Sequence, residues 1–212
     1  MKTPYDEADK ELKTVLKKIK NEFNRHRLRI MTFDELNAVS IKKETEKLYK
    51  RLKSINQSYY LKIAKNAYEV ACEELGVIPE NNIDSKWLLV FLSDINEITH
   101  YNYNNEIKRK RDRFYENVLV AAYNGVINQN EVIRAYKTAI NYWNRQTEQY
   151  EINVIDEARI KAFTDKGIQK VKWNTQQDGK VCKNCKELDG QIFPISNIPT
   201  SHYNCRCYLS PC

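Results

Sequence analysis

Glycine and proline are scarce in this sequence, at five copies each among 212 residues. Such a chain is not loop-rich, and no internal repeat or low-complexity tract interrupts it. Long apolar runs are missing too. The longest, "WLLVFL", has six residues and reads as core. No stretch approaches the roughly eighteen apolar residues of a transmembrane helix, so no membrane partner is expected. The opening "MKTPYDEADKELK" has no apolar h-region, so no secretory signal is expected either. The chain should be soluble and made in the cytoplasm, where thiols stay reduced. The metalloprotease pattern H-E-x-x-H is absent, and so are both parts of the zinc-deaminase pattern. No nucleophile–base pair or carboxylate pair stands out, so enzymatic activity is not expected.

Charge and tyrosine are what the chain has in abundance. Charged residues make up 30%, and tyrosine occurs fourteen times. That mixture suits long amphipathic helices whose tyrosines keep the ring inside and the hydroxyl out. The formal charge of +7 favours acidic partners, either nucleic acid or an acidic protein surface.

Helix signals run to about residue 166. Thr3-Pro4 supplies a cap and a first-turn proline, and Leu12, Val15, Leu16, Ile19 and Phe23 follow at helical spacing. "TFDE" at Thr32 to Glu35 has the form of a capping box. A pattern through Leu48, Leu52, Tyr59, Ala67 and Ala71 follows, with a candidate break at "KSINQS" and a stop at Gly76 and Pro79. Asp84 can cap a short helix, and another covers roughly Tyr101 to Asn124. Asn128 and Glu131 start a last one, with a candidate break near Asn153 and a stop at Gly167. Beyond Gly167 the period changes. "IQKVKWNT", the turn "QQDG" and "KVC" predict a β-hairpin over residues 168–182, and "QIFPI" and "CRCYL" read as further short strands.

Five of the six cysteines lie in residues 181–212, in the string C-x2-C-x16-H-x2-C-x-C. Close-spaced pairs across a short loop suit tetrahedral zinc. The first choice of ligands is Cys182, Cys185, His202 and Cys205, with Cys207 as substitute; five candidates for four positions leave the assignment open. A disulfide pair in an oxidised particle is the competing reading, and unligated core cysteines fit poorly in such polar surroundings. Structural zinc would let a short module fold that cannot build a sufficient core. Cys72 reads as core, Cys212 as terminal, and His26 and His100 as surface residues.

"GIQKVKWNTQQDGKVCKNCKELDGQIFPI" and "HYNCRCYLSP" together resemble the C-terminal signature of the phage head-morphogenesis proteins. These are the minor head proteins of tailed bacteriophages, often called Mu F-like. The signature falls on Gly167, Trp173, Thr175, Asp178, Cys182, Cys185, Leu188, Asp189, Gly190, His202, Cys205, Arg206, Cys207 and Pro211. The helical part before it is similar to the Gram-positive phage branch. One departure is "IPTSHYNC", where the family commonly has two prolines before the histidine. The chain is also short for the family. The resemblance implies a structural protein of the virion that associates with portal or capsid proteins and assists head assembly or DNA delivery.

The run "EIKRKRDR" holds Lys108, Arg109, Lys110, Arg111 and Arg113. It reads as a solvated helix face or as a phosphate-contacting surface for DNA. The expected architecture is mainly α: an elongated helical body over residues 1–166 and a small β-rich zinc-binding module over residues 167–212. The expected function is a portal-associated minor head protein. The alternative is a nucleic-acid-binding protein using a zinc-knuckle-like tail and the basic helix.

Overall fold

The computed structural model describes residues 5–32, 37–79, 83–94, 102–122, 127–176, 181–199 and 205–212. Mainly helical, it carries a small antiparallel sheet at the C-terminal end. The helices are α1 (Asp6–Met31), α2 (Ala38–Glu74), α3 (Ser85–Phe91), α4 (Tyr103–Ala121) and α5 (Gln129–Asp165). Then come β1 (Lys170–Asn174), the short α6 (Lys183–Leu188), β2 (Ile192–Pro194) and β3 (Tyr208–Pro211).

Side chains close the helix ends where they are described. Asn37 Oδ1 accepts the Ser40 N–H at 2.9 Å, and Ser40 Oγ accepts the Asn37 N–H at 3.2 Å, which caps α2 from both sides. Asn102 and Asn128 do the same for α4 and α5, accepting from the N–H groups of Asn105 and Glu131. Gly76 and Gly167 adopt φ of +67° and +76°, the left-handed turn that ends α2 and α5. Neither candidate break is realised: α2 runs through "KSINQS" and α5 through Asn153 without interruption. The Thr3-Pro4 start and most of the "TFDE" box lie outside the described residues.

The chain divides into two compact units. One comprises residues 13–59 and 86–147. Its interior is aromatic. Phe114 meets Tyr136 edge-on at 5.0 Å and Phe23 at 5.8 Å, and Tyr49 packs on Trp143 at 5.6 Å. His26 corrects its reading as a surface residue. It is fully buried in this cluster, with Nδ1 hydrogen-bonded to the Tyr136 hydroxyl. The reason is geometric: residues 19, 23, 26 and 30 fall on one helical face, and Ile19, Phe23 and Ile30 are all fully buried. Burial of the imidazole lowers its pKa to about 4. His100 lies outside the described residues.

The other unit comprises residues 1–12, 60–85 and 148–212, and it contains the cysteine tail. The sheet order is β2-β1-β3, with β1 antiparallel to both neighbours. Val171 pairs with Phe193 and Pro211, and Trp173 with Leu209. Alternation puts Val171 and Trp173 on the buried face of β1. The predicted hairpin over residues 168–182 does not form. Val181 and Cys182 are not strand, and β1 takes both of its partners from further along the chain. "KNCKEL" folds instead as α6, with the Cys182 sulfur in the capping position.

Candidate metal centre

The tail is built so that its cysteines converge. Cys182 precedes α6 with extended backbone, and its Sγ accepts the Cys185 N–H at 3.4 Å. That is an N-cap made with sulfur, and it points Cys185, one turn on, into the interior. The segment entering β3 brings Cys205 and Cys207 to the same place. The Sγ atoms of Cys185 and Cys205 are 3.6 Å apart, and those of Cys185, Cys205 and Cys207 all lie within 4.8 Å of one another. All three residues are buried, and no disulfide joins them.

These distances suit a zinc ion. Zn–S bonds of ~2.3 Å in a tetrahedron place sulfurs ~3.8 Å apart along each edge. Three sulfurs at this spacing supply three corners, and soft thiolates are the donors zinc favours. Without a cation, the crowding works against ionisation. Burial and the Cys182 sulfur push the Cys185 thiol up to about 12. Contact with Cys205, then burial, pushes Cys207 up as well. Of the five candidate ligands, Cys185, Cys205 and Cys207 are brought together. Cys182 adjoins Cys185 at the rim, and His202 lies outside the described residues.

A polar frame holds the cluster. The Tyr5 hydroxyl lies 3.0 Å from the Cys207 carbonyl oxygen and 2.9 Å from Asp156 Oδ1. One hydroxyl has one proton, so both contacts are satisfied together when Asp156 is protonated. Asp156 then donates to Tyr5 while Tyr5 donates to the carbonyl. Burial pushes the Asp156 carboxyl up to about 8, in keeping with that arrangement. Arg206, between the two cysteines, donates to Asp9 at 2.7 Å, its guanidinium 5.4 Å from the Tyr5 ring centre. Arg159 is 1% exposed. It donates to both Glu74 carboxylate oxygens, at 3.1 and 2.7 Å, and to the Leu209 carbonyl at 2.8 Å.

Sequence reasoning missed Tyr5, Asp156 and Arg159. The available signal was a charged residue on an apolar face: Arg159 shares its face with Ile155 and Ala162, both buried. The tail signature otherwise has structural reasons. The Asp189 carboxylate accepts the Thr175 N–H at 2.8 Å, and the Gly190 N–H donates to the Trp173 carbonyl at 2.8 Å. Gly190 has φ +77°, which disfavours any side chain.

The comparisons bear on the same stretch. The family model described as "Phage Mu protein F like protein" matches residues 116–210, from the last third of α4 into β3. This part of the chain is similar to the Mu F-like proteins. No curated protein and no solved structure matches the chain. Every cysteine of the cluster lies inside the matched region, as does all of α5. The start of α4, with Lys108, Arg109, Lys110, Arg111 and Arg113, lies before it. There Lys108, Arg109 and Arg113 are exposed, Arg111 bonds its neighbour Asp112 at 2.7 Å, and Lys110 covers the Tyr142 ring at 4.4 Å. Among the described residues no helix is long and apolar enough to cross a membrane.

Proposed function

We propose that this protein is a minor structural component of a tailed-phage head. It is made in the host cytoplasm and resides in the virion, where it associates with portal or capsid proteins and assists head assembly or DNA delivery. The observation that carries this reading is the Mu F-like match running through the cysteine tail. The helical surface offers area for partners, and the tail is a rigid knob. Its rigidity comes from structural zinc held by Cys185, Cys205 and Cys207, with Cys182 as the fourth ligand. His202 is the alternative fourth ligand. Bound there, zinc supplies cross-linking rather than chemistry: it ties α6 to the entry of β3. Cys182 is preferred because its sulfur already adjoins Cys185 and accepts that residue's amide N–H.

The test of location is direct. Heads purified from an induced lysate should contain the protein at a fixed low ratio to the major capsid protein, as read by quantitative mass spectrometry. Its absence from purified heads overturns the assignment. Elemental analysis separates the two fourth ligands: Cys182→Ser should lose zinc, while His202→Ala should keep it. The opposite result puts His202 in the site.

A further inference from the structure

A recess of about 470 Å³ opens within the unit of residues 13–59 and 86–147, between α4 and α5. Its volume comes from small side chains: Ala121, Ala135 and Ala139 line it where larger ones would close it. The rest of its apolar lining is Tyr49, Phe114, Tyr142 and Val120. Val120 is 76% exposed, which is unusual for a valine beside a recess and leaves an apolar edge open to solvent.

The rim is cationic. Lys110, Arg113 and Arg134 line it, and Glu131 is the acid among the lining residues. Glu131 reaches Arg134 at only 4.0 Å, and the Arg134 side chain is 80% exposed. Burial and the neighbouring Arg109 and Arg113 guanidiniums hold Lys110 below the usual lysine range. Positive charge is therefore concentrated here beyond what local carboxylates offset.

We propose that this recess receives an acidic amphipathic helix from a partner head protein, with apolar side chains seated against Phe114 and Tyr142 and carboxylates paired to Arg113 and Arg134. An apolar floor with a cationic rim complements a helix whose anchors recur at helical spacing and whose flanks are acidic. Duplex DNA fits less well. Its contacts are phosphates on a convex rod, which cannot place apolar groups in a recess. The proposal rests on the head-protein reading for the source of the partner and is independent of the metal.

The experiment uses the full-length protein and fluorescence anisotropy. The probe is a labelled helical peptide of about sixteen residues, with leucine at i, i+3, i+4 and i+7 and glutamate elsewhere. Three controls run beside it: the same peptide with lysine for glutamate, a single-stranded oligonucleotide and a duplex. The acidic peptide should bind saturably and the lysine peptide should not. Val120→Asp, and separately Arg113→Glu with Arg134→Glu, should each weaken binding about tenfold. All these substituted positions are exposed, so thermal unfolding should be unchanged and zinc content unaffected. Equal binding of the lysine peptide, no binding of the acidic one, or insensitivity to both variants overturns the proposal. So does tighter, Val120-insensitive binding of either oligonucleotide, which would make the surface a DNA contact. Loss of the protein from purified heads would remove the head-protein reading without touching the peptide result.

Discussion

The aromatic unit and the cysteine tail hold together by different means. Around Phe23, Phe114, Tyr136 and Trp143, long helices bring large rings together, and burial of those rings drives the cohesion, with the buried His26–Tyr136 hydrogen bond inside it. After Asp165 the elements are short: strands of five, three and four residues and one helix of six. Among the described residues the buried side chains there are Val171, Trp173, Leu209 and three cysteines. Three of those six described side chains are cysteine. A segment with so few apolar groups gains little from burial to set against its own ordering entropy, so on the proposed reading cross-linking through a cation adds to the polar ties that Tyr5, Asp156 and Arg159 supply. The lesson is that apolar periodicity indicates where a core forms, whereas ligand spacing indicates where one is replaced.

Four changes would break or sharpen this contrast, in descending order of effect. The largest concerns the tail. Cys205→Ser should strip a metal whose binding contributes about 10 kcal/mol to the folded module. Hydrogen exchange should then become fast over residues 168–212 while the far-ultraviolet helical signal persists. Tail protection equal to wild type would show that the sulfurs are ordinary core. The reciprocal change lies in the aromatic unit. Phe114→Ala should cost about 3–5 kcal/mol in denaturant unfolding and leave zinc content unchanged.

Acid separates the two regions by a different route. His26 is buried neutral, with its folded pKa near 4, below the ordinary value of 6.5. The unfolded chain therefore binds the extra proton first. Stability from this group is full above about pH 6.5 and falls as pH drops toward 4, by about 3 kcal/mol. His26 sits on α1 and its ring neighbours are Phe114 and Tyr136, so exchange in α1, α4 and α5 should report the loss, and His26→Gln should remove that pH dependence. An unchanged slope in the variant would mean that other groups set it. The smallest effect expected is that of Tyr5→Phe, which removes the hydroxyl between Asp156 and the Cys207 carbonyl. It should cost about 1 kcal/mol and speed exchange at the start of α1 without releasing zinc.

Much of this was legible in the sequence, and the gaps have physical causes. Val15, Ile19 and Phe23 marked α1, and the Asn128–Glu131 and Gly167 signals marked both ends of α5, because spacing and capping are local. The absence of breaks in α2 and α5 was not legible, because an asparagine or serine inside a helix costs only a few tenths of a kcal/mol and neighbouring packing overrides it. The hairpin was misplaced for a similar reason. A turn signal after β1 cannot show that its strand partners come from residues 192–194 and 208–211, since that pairing is long-range. The cysteine string announced a cluster, yet Tyr5, Asp156 and Arg159 could not be attached to it. Their partners lie 202, 151 and 50 residues away at the Cys207 carbonyl, Tyr5 and the Leu209 carbonyl.

One measurement bears on the central claim most directly: the zinc-to-protein ratio of the native protein, taken with thiol titration before and after denaturation. The account predicts about one zinc per chain, with Cys185, Cys205 and Cys207 unreactive until the protein is unfolded and the metal released. A metal-free protein with a protected tail, or sulfurs recovered as disulfides, would contradict it.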